Sequence, residues 1–180
     1  IHNLVLPNTS WNYPSWSISA EFAVYLVFAT VCVVFANRTK AQAIVFAFLM
    51  FFAFGVLQYE GMTGQMNIAG PSRCVFSFIL GHFTCLLLQK KSDQNLSFLG
   101  LALFAASIFT VASVGHFPSW LVPFVPVLFA GTIYCVVRSS DSSGFIRILS
   151  WKPLVFLGTI SYGIYMWHAF VIYLINLFVR

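Results

Sequence analysis

The chain has 180 residues, of which 60% are apolar and 7% charged, with a mean hydropathy of +0.90 and a formal net charge of +5. That composition excludes a soluble globular domain and makes lipid the solvent for most of the chain. The nine Lys and Arg stand singly or as the pair Lys90-Lys91, so the positive charge reads as an orientation signal and no nucleic-acid partner is expected.

A spanning helix needs about 20 predominantly apolar residues. Six stretches meet or approach that length: Ile18–Phe35, Ala41–Leu57, Arg73–Leu88, Leu96–Val114, Trp120–Val137 and Leu154–Val179. The expected fold is therefore all-α, a polytopic transmembrane bundle of about six spanning helices forming one membrane domain over residues 1–180. The third stretch is the shortest and carries Ser77, His82 and Thr84. In the fifth, Pro123 and Pro126 remove backbone donors near the start, which predicts a bent or delayed helix.

The connecting segments divide by charge. Residues 37–40, 90–93 and 138–152 hold seven Lys or Arg, whereas residues 1–17, 58–72 and 115–119 hold none. The two sets alternate along the chain, so they lie on opposite faces of the membrane. The positive-inside rule puts the basic set in the cytoplasm and the start of the first helix at the outer face. Trp11, Trp16 and Trp120 fall at outer boundaries and Trp151 at an inner one, positions that suit an interfacial indole.

Cys32, Cys74, Cys85 and Cys135 lie in or beside apolar runs without metal-type spacing and read as buried free thiols. The four histidines are scattered over separate elements, so no metal site is expected. The chain opens on Ile1 without a signal-peptide pattern and reads as a piece of a longer protein.

Polar side chains inside such a chain need a reason. Glu21 is one of four acidic residues. It sits at the mouth of the first helix, with Tyr25 one turn inward and Ser17 one turn outward on the same face. On the last helix Ser161, Tyr165 and His168 follow an i, i+4, i+7 pattern and share a face. His168 lies roughly 21 Å along that helix at 1.5 Å per residue, in the outer half of the bilayer and level with Glu21. His82, near the middle of the third helix, is either neutral and packed or part of a proton or substrate path. Arg73 either snorkels to water or pairs with Glu21.

Two segments carry a resemblance. Trp16-Ser17-Ile18-Ser19-Ala20-Glu21, followed by Phe22, resembles the Trp-Ser-Leu-Ser-x-Glu signature of the membrane acyltransferase-3 family. Leu157-Gly158-Thr159-Ile160-Ser161-Tyr162-Gly163-Ile164-Tyr165-Met166-Trp167-His168 is similar to the Leu-Gly-x-x-Ser-Tyr-x-x-Tyr-x-x-His segment near the end of that family's membrane domain. The resemblance implies an enzyme that moves an acetyl or larger acyl group from a cytoplasmic thioester such as acetyl-CoA to a hydroxyl of a sugar, glycan or lipid-linked acceptor. Glu21 and His168 are the candidate catalytic residues and Trp16, Ser17, Tyr25, Arg73, Ser161 and Tyr165 the candidate substrate contacts, as groups supporting acyl transfer. Glu21 otherwise reads as a hydrated helix-start carboxylate and His168 as a packed, hydrogen-bonded histidine. The resemblance also implies that the family's principal Arg and His belong to N-terminal helices preceding this stretch, and that a further helix follows it. Where the family often has Pro shortly after the Trp-His pair, this chain has Ala169-Phe170-Val171. A plasma or cytoplasmic membrane is the expected location.

The competing class is a transporter or flippase-like protein that binds a glycan or solute without transforming it. It too would line a cavity with polar groups, and Pro123 with Pro126 is the one hint of a broken helix.

The orientation is directly testable. A Cys substituted at Asn8 is expected to react with an impermeant maleimide in intact cells, and a Cys at Asn37 or Asn95 is not. Labelling at position 95 from outside would invert the topology.

Overall fold

The computed structural model describes residues 15–63, 69–89, 96–113, 119–139 and 144–178, and no strand occurs among them. The expectations for His2, Asn8, Trp11, Lys90, Lys91, Asn95 and His116 lie outside the described residues. In chain order the helices are α1 (Ser15–Val34), α2 (Thr39–Thr63), α3 (Ala69–Leu88), α4 (Ser97–Ala112), a 3-10 segment (Ser119–Phe124), α5 (Val125–Arg138), the short α6 (Gly144–Leu149) and α7 (Lys152–Phe178). Helix dominates because a backbone in hydrocarbon must satisfy its N–H and C=O groups within its own segment.

Each of the six apolar runs forms a helix. α1, α2 and α3 are long and apolar enough to cross a membrane, and α7 makes a fourth span if its two limbs, Lys152–His168 and Phe170–Phe178, inclined at 49°, count as one. α4 and α5 are shorter, at 16 and 14 residues. At 1.5 Å per residue they reach about 24 and 21 Å, less than the about 30 Å of a typical hydrocarbon core. The prolines explain the shortness of α5. Pro123 sits inside the 3-10 segment and Pro126 in the first turn of α5, so the α-helix begins only at Val125, where a missing N–H costs nothing. Elsewhere the helices outrun the apolar stretches: α2 continues to Thr63 and α3 starts at Ala69. Arg73 therefore lies inside the second turn of α3.

α1, α2 and α3 pack through two clusters. Val31, Phe46 and Ile79 form one, and Ala53, Leu57 and Phe76 the other. Phe28 of α1 stacks on Phe46 of α2 with centroids 4.9 Å apart, in the contact range where aromatic pairs add about 0.5–1.5 kcal/mol beyond burial. His82 lies in the same cluster, its ring edge-on to Phe28 and to Phe46 at 5.1 Å each and 5.9 Å from Phe83. Of the two roles open to it, the structure gives the packed one.

α4 and α5 are joined by small residues. A Cβ on Gly100 would stand 3.1 Å from Cβ of Cys135, and one on Gly131 3.1 Å from Cδ1 of Leu103. Close backbone approach replaces the hydrophobic drive that is missing between helices in lipid. Hydroxyls in this part of the bundle are satisfied locally. Ser107, with no exposed surface, donates to the Phe104 carbonyl at 2.7 Å, and Thr132 donates to the Leu128 carbonyl at 2.9 Å. At the end of α5, Arg138 donates from Nη2 to the Leu87 carbonyl at 2.8 Å and lies over the Tyr134 ring. Leu87 is in the last turn of α3, whose carbonyls have no intrahelical donor, so Arg138 closes that end of the helix.

The cysteines are free, as expected, but only Cys135 is fully buried; Cys32 and Cys74 are half-buried and Cys85 is exposed. Exposure on a spanning helix means contact with lipid or with another segment, so an apolar environment does not require burial in this bundle.

Gly100→Leu is expected to destabilise the detergent-solubilised protein by about 1–3 kcal/mol through overpacking. Gly55→Leu, where nothing lies within 4 Å of the added Cβ, is expected to stay within about 0.5 kcal/mol. Thermal unfolding of the two variants side by side checks the contrast.

Candidate active site

The N-terminal turns of α1 and α3 and the middle of α7 supply the polar side chains. α1 carries Ser17, Glu21 and Tyr25 at one-turn intervals. Glu21 and Tyr25 are both exposed, Tyr25 at 49%. Its ring meets Phe78 of α3 with centroids 5.3 Å apart, so Tyr25 turns toward α3. Arg73 is exposed beside Cys74, and no ion pair between Glu21 and Arg73 occurs among the described residues. The described residues thus do not show the Glu21 pairing, and the Arg73 side chain is exposed.

α7 stands largely apart, with most of its side chains exposed. It meets α1 through a hydrogen bond between the Ser17 and Tyr165 hydroxyls, 3.1 Å long and spanning 148 positions of sequence. That bond links the two signature segments. Trp16 lies in the first turn of α1, and its side chain is outside the described residues. Ser161 donates to the Gly158 carbonyl at 2.7 Å, so its proton serves its own helix and its oxygen keeps acceptor capacity.

His168 has a defined tautomer. Its Nδ1 is hydrogen-bonded to the Tyr165 carbonyl, one turn back on the same helix. A carbonyl can only accept, so Nδ1 carries the proton, and in the neutral imidazole Nε2 is the bare acceptor. The Tyr165 and His168 rings lie 5.6 Å apart at 39°. Tyr165 thus touches both partners, through its hydroxyl to α1 and through its carbonyl to His168.

Glu21 follows Ser17 by four residues and His168 follows Tyr165 by three, so each lies about one turn from the Ser17–Tyr165 bond, and no contact between Glu21 and His168 is found among the described residues. The spacing within each motif was visible in the sequence, but the relative height of two helices depends on which residues touch.

Sequence reasoning missed Phe78, the α3 neighbour of Tyr25. It lies in the apolar third run, and no local signal marks it. Among the described residues no group of three or more His, Cys, Asp or Glu could hold a metal ion.

Comparison with known proteins accords with this arrangement. The family profile described as an acyltransferase domain matches residues 2–180. An O-acetyltransferase OatA of Staphylococcus aureus is 25% identical over 177 residues, covering 89% of this chain and 29% of the relative. A peptidoglycan O-acetyltransferase OatA of Listeria monocytogenes is 27% identical over 175 residues, covering 85% of this chain and 27% of the relative. The chain thus spans less than a third of the length of these curated relatives. No solved structure matches it. A profile match over nearly the whole chain, with both signature segments meeting at one hydrogen bond, shows that this all-helical membrane chain belongs to the acyltransferase-3 family.

Proposed function

We propose that the full-length protein transfers an acetyl or other acyl group from acyl-CoA to a hydroxyl of an extracytoplasmic sugar, glycan or lipid-linked acceptor, in the plasma or cytoplasmic membrane. The observation that carries this reading is the Ser17–Tyr165 hydrogen bond. It supports a common site where the N-terminal turn of α1 meets the middle of α7, on the side that the charge pattern assigns to the outside. The printed names of the two relatives favour acetyl as the acyl group and a cell-wall glycan as the acceptor.

In this reading His168 receives the acceptor hydroxyl. Its Nδ1–H is held by the Tyr165 carbonyl, leaving Nε2 to accept the hydroxyl's hydrogen bond and then its proton. Segments outside these 180 residues take the acyl group from the cytoplasmic thioester, whose thiolate leaves on that side. At the outer face the hydroxyl oxygen bonds to the acyl carbon as its bond to that intermediate carrier breaks, and the proton passes from Nε2 to the departing carrier atom. Arg73 offers a cation for the oxyanion that develops on the carbonyl oxygen. Ser17, Ser161, Tyr165 and Trp16 line the acceptor side, while Glu21 and Tyr25 orient the reacting end from further along α1. Segments of the full-length protein outside these 180 residues hold the rest of the donor.

Glu21→Gln keeps size and removes charge. A solvated helix-end carboxylate would lose only about 0.3–1 kcal/mol, whereas a carboxylate in the reaction cavity is expected to lower transfer tenfold or more at matched membrane levels. Glu21→Gln turning over at the wild-type rate would remove Glu21 from the site. His168→Ala is expected to reduce transfer by lowering kcat, as loss of the proton acceptor requires, and also to raise the acceptor KM. Complete absence of transfer by the wild-type protein with any sugar or lipid acceptor would favour the transport reading.

The junction has its own test. Ser17→Ala and Tyr165→Phe are each expected to lower activity, and the double variant is expected to be no worse than the poorer single one. A coupling of about 0.5–1.5 kcal/mol corresponds to one shared hydrogen bond. Strict additivity would mean that the bond does not organise the site.

A further inference from the structure

Between α1, α2 and α3 lies a pocket of about 250 Å³ that none of the roles above uses. Val24, Val27, Phe46, Ala53, Ser72 and Phe78 are among its walls, which are almost wholly apolar. Its position relative to the site decides its meaning. Val24 is three residues from Glu21 on α1, Phe78 is the ring that Tyr25 touches, and Ser72 adjoins Arg73 on α3. By chain direction, Val24, Ala53 and Ser72 belong to the outer end of the pocket and Phe46, only 1% exposed, to its inner end. The pocket is thus an apolar slot directly beneath a polar rim.

Such a slot fits a ligand with a polar reacting end and an apolar tail. A sugar or glycan hydroxyl has no tail to place there, and the tail of a lipid-linked acceptor is separated from its reacting hydroxyl by a polar headgroup, whereas an acyl group has a carbonyl for the rim with its hydrocarbon chain attached directly to it. Size refines the match. One water takes about 30 Å³ of liquid, so the slot has room for roughly eight groups of that size, several more than an acetyl group fills. We propose that this pocket receives the chain of the acyl group being transferred and sets its greatest length, an inference that rests on the acyltransferase reading. Val27 forms part of its side wall and Phe46 closes it.

The test uses the full-length protein in nanodiscs with acyl-CoA donors of two, four and six carbons. The wild type is expected to use the six-carbon donor within about tenfold of acetyl. Val27 is half exposed, so a larger side chain there can be accommodated by the fold. Val27→Trp is expected to lower the six-carbon to two-carbon rate ratio at least tenfold, and Val24→Ala to raise it about threefold. Ratios unchanged in both variants would overturn the proposal, as would a wild type that rejects every chain longer than acetyl. A second readout does not need turnover: a donor with a diazirine at the chain end is expected to label peptides of α1, α2 and α3 in wild type and in Glu21→Gln, and to label Val27→Trp several-fold less. Absence of that labelling, or labelling by a diazirine phospholipid that saturating donor fails to displace, would overturn the pocket assignment. Labelling without transfer of any acyl group would instead sink the acyltransferase reading while leaving the slot an acyl-binding site.

Discussion

The constraint on which the rest of the structure depends is that hydrocarbon offers no hydrogen-bond partner. Backbone groups must be satisfied within the segment that carries them, so every apolar run becomes a helix. Hydroxyls within those runs follow the same rule. Thr30, Thr84, Thr110 and Thr159 each donate to the carbonyl four residues back, at 2.7–3.0 Å. Against that background, a hydroxyl that bonds to another helix is informative. Ser17 and Tyr165 form such a bond, and it lies at the site.

Because lipid tails are as apolar as Leu or Phe, burial alone does not hold these helices together. Two different contacts take its place. α1, α2 and α3 interlock through aromatic rings, with Phe28, Phe46 and His82 mutually in contact. α4 and α5 instead come together at Gly100, Gly131 and Cys135, where the absence or smallness of side chains lets the helices approach. The first set forms the wall beneath the polar rim and the second is remote from it. α7 uses neither device and presents most of its surface outward. Among the described residues, its polar face meets α1 through the specific Ser17–Tyr165 bond.

The Ser17–Tyr165 bond draws the site's groups together. Glu21 lies one turn from it along α1 and His168 about one turn along α7. Tyr25, a further turn along α1, meets Phe78, a residue that also lines the apolar slot.

The sequence by itself determined the solvent, the helices, their orientation signal and the family. Apolar run length decides spanning, Pro123 and Pro126 decide where α5 can begin, and the two signature segments carry the resemblance, because each of these is a local property of consecutive residues. Tertiary structure alone decided that Ser17 meets Tyr165, that Tyr25 meets Phe78, that His82 packs its ring against Phe28 and Phe46, and that a slot opens between three helices. In lipid the outward faces of helices are as apolar as their contacts, so periodicity does not distinguish the side that packs from the side that faces the bilayer. Which residues meet, and at what depth, emerges only when whole helices have chosen their neighbours.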